Sequence, residues 1–405
     1  MKAFAGLCFS AALVAACSAG SNGVVPSTAI QGANARHGAS VRHATGSSGG
    51  YQILHSFGGT GDGFGPRAGL AVLGGVLYGT TFYGGTHGYR GGAAFSITTG
   101  GTESVLYDFG LGSDASRPWA GLTSLNGVLY GTTYGGGTHG YAAGTIFSLT
   151  TAGAETVLHN FGSSGDGVNP IGGQLVALNG VLYGTTANGG ANGLGIVFSI
   201  TTSGTESVLH TFGGTGDGAH PFGGLVAVNG VLYGTTAAGG TNGDGTIFSI
   251  TTGGSEAVLH NFGSSGDGVN PETLSVLNGA LYGTTGQGGA YGKGTVFSTT
   301  TSGNESVLYS FGGSGGDGIT PGEIRPFGGL FYGTTNTGGA FNDGTVFSIT
   351  TSGTETVLHS FGGSGDGVNP VGVKPFGGTL YGTTVIGGAH NAGVVFELPI
   401  PITET

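Results

Sequence analysis

The sequence predicts an all-β fold, a seven-bladed β-propeller of four-stranded antiparallel blades, and three observations carry that expectation. Of 405 residues, 96 are glycine, 7% are charged and 37% are hydrophobic. Glycine at that density without a Gly-X-Y period excludes collagen, and the apolar content argues against disorder, which leaves a turn-dense β protein. From Tyr51 onward one motif recurs. It is marked by the tyrosine of "LYGTT" or "FYGTT" at Tyr78, Tyr130, Tyr183, Tyr233, Tyr282, Tyr332 and Tyr381, spaced 49 to 53 residues apart, the period of propeller blades or similar arrays. The repeat is also out of phase at its ends. The first copy begins with a lone fourth strand, "YQILHSF" at Tyr51 to Phe57, and the seventh stops after its third, "GVVFELP" at Gly393 to Pro399. An N-terminal strand that completes the last blade closes the ring and leaves no unprotected edge.

In chain order, residues 1–17 come first. "MKAFAGLCFSAALVAACS" carries one basic residue, Lys2, before an apolar run too short to anchor stably across a bilayer, and reads as a signal peptide. Its end, Val14-Ala15-Ala16-Cys17, resembles the lipobox of bacterial lipoproteins, which implies acylation of Cys17; the alternative is ordinary cleavage near Ala19. Ser18 in place of an aspartate implies, by the same resemblance, delivery to the outer membrane. Cys8 and Cys17 are the two cysteines, so the remaining chain forms neither a disulfide nor a thiolate metal site. Residues 18–50, rich in Ser, Gly and Ala, read as a flexible tether with a reach of roughly 30 Å.

Residues 51–399 form the propeller, followed by a short tail at 400–405. In the copy from Pro221 to Gly268, "GLVAV" precedes Asn229-Gly230, a strong hairpin signal, and then "VLYGTT". A glycine-rich loop leads to "GTIFSIT", a tight turn and "EAVLHNF", which completes a four-stranded meander. Val258, His260 and Phe262 share one face of the last strand and Leu259 the other, so neighbouring blades must cover both faces. Glycine costs roughly 0.5–1 kcal/mol inside regular structure, so most copies belong in turns.

The segments "NGVLYGTTAAGG" and "GTIFSI" resemble the kelch pattern and, more closely, the GloVer-type choice-of-anchor tandem repeat of bacterial surface proteins. All seven copies match. The resemblance implies a propeller joined to a sorting signal, here the lipobox, and implies no particular activity.

In such a blade the fourth-to-first and second-to-third connections open on one face and the tight hairpins on the other. The long loops, such as "FGSSGDGVNP" at Phe161 to Pro170, thus mark the working face. An aspartate recurs in that loop in every copy: Asp62, Asp114, Asp166, Asp217, Asp267, Asp317 and Asp366. We read it as a turn residue whose carboxylate accepts a backbone hydrogen bond from two residues on. Weak calcium binding is the competing reading. Calcium wants six to eight oxygens, and each loop offers one Asp with at most one further oxygen before the proline, so no cofactor is expected. His55, His159, His210, His260 and His359 share a strand position with Tyr107 and Tyr309 and are expected to pack between blades with a polar tip. Ring symmetry is expected to spread them too widely for a metal site.

Specialisation is expected where the copies differ. Candidate ligand-binding residues are Arg67, Trp119, Phe222 and Glu272 after the loop proline, Tyr89, Arg90, Tyr141 and Tyr291 in the second-to-third loops, and Arg325 and Lys374 on the innermost strands. The bland alternative is that these are solvated loop and channel residues. From Tyr51 the chain holds 6 Lys or Arg against 20 Asp or Glu, a net charge of −14, which disfavours nucleic acid and anionic membranes as partners. No P-loop, dinucleotide fingerprint or Ser-His-Asp arrangement is visible. The leading expectation is an exported, lipid-anchored monomer at the cell surface that binds a glycan or another surface protein. A polysaccharide hydrolase or lyase, and a purely structural envelope protein, are the alternatives. Paired carboxylates including Glu272 would favour the enzyme, and a row of exposed aromatics would favour the glycan binder.

Overall fold

The structure is a computed structural model that describes residues 50–110, 113–140 and 142–401. The leader with Cys17, nearly all of the tether, Tyr141 and residues 402–405 lie outside the described residues.

Seven four-stranded antiparallel blades form the ring. Blade 1 runs Ala71–Leu73, Val76–Thr81, Ala93–Ile97 and Glu103–Asp108 from its first strand to its fourth. Blade 5 runs Gly268–Leu277, Ala280–Gly288, Thr295–Thr299 and Glu305–Ser310. The closure is as the phase of the repeat predicts. Blade 7 takes Gly367–Phe376, Thr379–Gly387 and Val394–Pro399 from the C-terminal end and Gln52–Ser56 from the N-terminal end, and Gln52 pairs with Glu397 and Ser56 with Val394.

The tight hairpins turn on left-handed pairs. Asn229 (φ 51°) and Gly230 (φ 82°) are typical, and Gly74-Gly75 substitutes in blade 1. Both central residues of such a turn need positive φ, which Asn and Gly tolerate best. First strands run unbroken for ten residues in blades 5 to 7 but are interrupted in blades 1 to 4. The segment between the loop proline and the hairpin is longer in the early blades, as a comparison of Pro170–Asn179 with Pro271–Asn278 shows, and the extra residues leave the ladder.

The core is a ring of phenylalanines between blades. Each fourth strand ends in a fully buried Phe that meets, edge to face, the Phe of the next blade's third strand: Phe57 with Phe95 at 5.1 Å, Phe161 with Phe198 at 5.3 Å, Phe361 with Phe396 at 5.3 Å. Such contacts add about 0.5–1.5 kcal/mol each beyond the area they bury. The glycine of "YGTT" seats the second ring: a Cβ on Gly234 would lie 2.6 Å from Phe248 Cζ. The threonine two residues on, Thr236, takes the backbone N–H of Thr246 on its hydroxyl and passes its own proton to the carbonyl of Ala238, stitching second strand to third.

Candidate functional site

The two kinds of long loop pair with each other, as Gly63–Phe64 does with Tyr83–Gly84 and Gly167–Val168 with Asn188–Gly189, so they share one face. The aspartates anchor this arrangement in a way that differs in detail from expectation. The backbone N–H of Asp166 closes a turn on Ser163 O, and its carbonyl accepts from Gly190 N–H. Its Oδ1 accepts from Gly167 N–H, the next residue rather than the one after, at 2.6 Å. Its Oδ2 lies 3.0 Å from His159 Nε2. The same contact joins His55 to Asp62, His210 to Asp217, His260 to Asp267 and His359 to Asp366 at 3.0–3.2 Å. Where tyrosine replaces histidine its hydroxyl donates instead, from Tyr107 to Asp114 at 3.0 Å and from Tyr309 to Asp317 at 3.1 Å. Histidine also packs within its own blade, edge-on to the Phe two residues later (His159 to Phe161, 4.7 Å).

A third residue arrives from the next blade, the glutamate that opens its fourth strand. His55, Asp62 and Glu103 place one donor atom each within 4.8 Å of one another; so do His159, Asp166 and Glu206; His210, Asp217 and Glu256; and His260, Asp267 and Glu305. Instead of being spread out by symmetry, each of these histidines has carboxylates of its own at a seam between blades. One oxygen of each of these glutamates is buried without a hydrogen-bond partner. At the two tyrosine seams, burial first and the neighbouring aspartate second push Glu155 (beside Asp114) and Glu355 (beside Asp317) up to about 7. At the closure seam Tyr51 stands in the glutamate position, stacked on His359 at 4.0 Å.

The candidate ligand-binding residues divide into three groups. The first is an arginine–aromatic cluster where blades 1 and 2 meet on the long-loop face. Arg67 sits over the corner of two rings that meet edge to face at 5.3 Å, 4.8 Å from the centroid of Phe82 and 4.8 Å from that of Trp119. Arg117 approaches Phe82 and Tyr83 at 5.7 and 5.9 Å and reaches toward the Tyr89 carbonyl. Tyr89, 73% exposed, sits edge-on to Phe64 at 5.2 Å and meets Tyr83 at 5.6 Å, while Tyr134 extends the aromatic floor beside Trp119. Burial depresses both Arg67 and Arg117, and Arg90 adds its positive charge beside Arg117. Sequence comparison finds Arg67, Tyr89, Arg90 and Trp119, places Arg117 among the basic residues of the long-loop face or the axis without making it a ligand residue, and misses Phe64, Phe82, Tyr83 and Tyr134. Arg117 had a signal: it stands where Asn169, Asn270 and Asn369 stand in other copies, a left-handed position (φ 57°) that arginine disfavours.

The second group lies at the axis. Arg325 pairs with Glu323 at 2.6 Å and donates to Gln174 Oε1 at 2.9 Å. Gln174 belongs to blade 3 and Arg325 to blade 6, which are not neighbours in the ring, so the bond crosses the channel. Lys374 is depressed by burial and then by Arg325. The third group is scattered. Phe222 is half-buried, Tyr291 is exposed and leans over Gly313, and Glu272 is pushed up to about 7 by burial as its cause, with no charged partner contributing.

No helix among the described residues is long and apolar enough to cross a membrane. No curated protein matches the sequence. Solved structures of similar fold include virginiamycin B lyase from Staphylococcus aureus (15% identity over 84% of this chain and 96% of that one, TM-score 0.55). The WD40 β-propeller domain of Doa1 is also similar (14% identity, 85% and 96%, TM-score 0.52). So is the extracellular domain of the hybrid two-component system BT4673 from B. thetaiotaomicron (12% identity, 90% and 44%, TM-score 0.57). At these identities the likeness is one of fold. The sequence itself matches the Gloeobacter/Verrucomicrobia repeat over residues 13–228 and, overlapping, over 172–396, and the chain therefore belongs to that repeat family.

Proposed function

We infer that the protein is an exported surface scaffold, lipid-anchored through Cys17 and held out by the segment at 18–50, that binds an acidic glycan on the arginine–aromatic cluster of blades 1 and 2. The observation that carries this reading is Arg67 seated over the corner formed by Phe82 and Trp119, with Arg117 and Arg90 beside it on a chain of strongly acidic balance. Exposed and half-buried rings offer flat apolar faces to sugar C–H groups, and guanidinium groups recognise carboxylate or sulfate in paired hydrogen bonds. Aromatic stacking holds Arg67 in place before a ligand arrives, so little side-chain freedom is lost on binding.

Binding is favoured over cleavage. A glycosidase flanks the scissile bond with two carboxylates roughly 5–10 Å apart. Glu272 has the raised proton affinity that burial gives a general acid, so the preference for binding rests on the arginine–aromatic cluster and not on that glutamate.

The test is a screen of the full chain on an array holding polyuronic, sulfated and neutral glycans. Binding to the anionic members, weakened by salt and lost in Arg67→Ala and Trp119→Ala, is expected. Binding that both substitutions leave intact, or no binding to any anionic glycan, would refute it.

A further inference from the structure

We propose that the four seams carrying His, Asp and Glu are binding sites for a divalent transition-metal ion of the zinc type, one ion per seam. At the seam between blades 7 and 1, His55 Nε2 and Asp62 Oδ2 are 3.0 Å apart, and the Glu103 carboxylate from the next blade completes a set whose donor atoms all lie within 4.8 Å. One imidazole nitrogen and two carboxylate oxygens are a common donor set for such an ion, bound at about 2.0–2.2 Å and leaving one position for water. Donors around a tetrahedral ion of that size stand roughly 3.4 Å apart, so the ion needs only a small inward movement of the glutamate.

Two observations point to a ligand and not simply to an acidic corner. First, an imidazole nitrogen stands beside the two carboxylates at each of the four seams; the buried glutamate Oε1 without a hydrogen-bond partner is shared with Glu155 and Glu355 at the tyrosine seams and does not by itself mark a ligand. Second, the three residues come from two blades, so an ion would join what is otherwise held by packing. The set suits zinc, cobalt or nickel better than calcium, which avoids imidazole and needs more oxygens than a seam supplies. Asp62 Oδ1 is committed to Gly63 N–H at 2.8 Å, so an ion would take Oδ2 and the deprotonated His55 Nε2 in place of the hydrogen bond that joins them, with the ring proton held on Nδ1.

The ring contains its own controls. At two seams tyrosine replaces histidine (Tyr107, Tyr309), and at the closure seam Tyr51 replaces glutamate, so those three lack the donor set. The proposal therefore fixes a stoichiometry and not merely an affinity.

The experiment is a Co2+ titration of the untagged full chain, stripped with chelator, followed by the visible d–d absorption that four-coordinate cobalt shows and by bound metal after gel filtration. Zn2+ should displace the cobalt. Residues outside the propeller, including His37, His43 and the two cysteines, can bind metal too, so the count is read as a difference between variants. Glu103→Gln, Glu206→Gln, Glu256→Gln and Glu305→Gln should each remove one equivalent and the quadruple variant four, whereas Glu155→Gln and Glu355→Gln should remove none. Cobalt stoichiometry and d–d absorption unchanged in the quadruple variant would overturn the proposal, as would absence of saturable binding to the native chain. A quadruple variant that fails to fold leaves the single variants and the native stoichiometry to decide the matter.

Discussion

His159 Nε2 lies 3.0 Å from Asp166 Oδ2, across seven residues of chain that leave a fourth strand and enter the long loop. The contact ties the end of one blade to the connection leading into the next, and the carboxylate that makes it also receives Gly167 N–H on its other oxygen. Asp166 is thus a double acceptor. Asp166→Asn keeps one acceptor oxygen, and its amide can donate to the histidine tautomer with a free Nε2, so a loss under about 1 kcal/mol is expected. Asp166→Ala forfeits both bonds and should cost about 2 kcal/mol. Denaturant midpoints at constant m-value measure both. Equal losses would show that the amide keeps neither bond, and negligible losses in both would show that neither bond matters.

Closure makes a second prediction. Tyr51 stacks on His359, Phe57 meets Phe95 of blade 1, and Phe57 N–H donates to Gly393 O, so the first strand touches blades 6, 7 and 1. Deleting Tyr51 to Phe57 opens the sheet edge at Val394–Pro399 and removes one of seven phenylalanine contacts. Deleting residues 20–48 removes none of these. Thermal melting should show a large loss for the first deletion and almost none for the second. Identical melting temperatures would mean that the ring does not depend on its closing strand.

Much of this was legible in the sequence because repetition reveals what one copy conceals. The seven tyrosines gave the period and the stray end strands gave the closure. The exchange of histidine for Tyr107 and Tyr309 already signalled a ring with a polar tip, and both rings turn out to place a hydrogen-bond donor at that tip. The partner remained hidden, because Asp166 lies beyond a glycine-rich loop whose path depends on turns at Gly162 (φ 106°) and Gly165 (φ 83°). The glutamates were harder still. Glu206 reaches His159 only after a whole blade has intervened, and an opening glutamate on an edge strand reads as an ordinary solvated residue. In the arginine–aromatic cluster, Phe82 and Tyr134 stand at the ends of "YGTT" strands, which look like scaffold until blades 1 and 2 are set side by side.

Arg117 carries a backbone cost that the proposed glycan site would explain. Its φ of 57° is left-handed, imposed by the corner that sends its N–H to Gly91 O at 2.8 Å. A long L-residue pays roughly 1–2 kcal/mol there, whereas asparagine, present at this corner in three other blades, pays less. Arg117→Asn should raise unfolding stability by up to about 1 kcal/mol while weakening glycan binding about tenfold, the loss expected for one charge-assisted hydrogen bond. A variant that is both no more stable and equally good at binding would leave the strained arginine unexplained.

The tyrosine seams set a pH dependence. Glu155 and Glu355 hold their protons up to about pH 7 in the folded chain, against an ordinary value of 4.5. The folded state binds protons more tightly than the unfolded one, so the stability these groups contribute is complete below about pH 4.5 and is lost as pH rises through about 7. Tyr107 and Asp114 face the first, Tyr309 and Asp317 the second. With chelator present, Glu155→Gln/Glu355→Gln should gain on the native chain between pH 4.5 and pH 7.5 in melting temperature. Parallel curves across that range would contradict the shift.

The most direct test of the account is calorimetric titration of an anionic glycan selected on the array into the native chain, Trp119→Ala and Tyr291→Ala. Trp119 forms one wall around Arg67, while Tyr291 is equally aromatic and more exposed but lies in blade 5, away from the cluster. The account predicts at least a tenfold loss of affinity for Trp119→Ala, in the range of a stacked aromatic and a desolvated cation–π contact, and no change for Tyr291→Ala. Undiminished affinity in Trp119→Ala together with a loss in Tyr291→Ala would place the ligand elsewhere on the ring and contradict it.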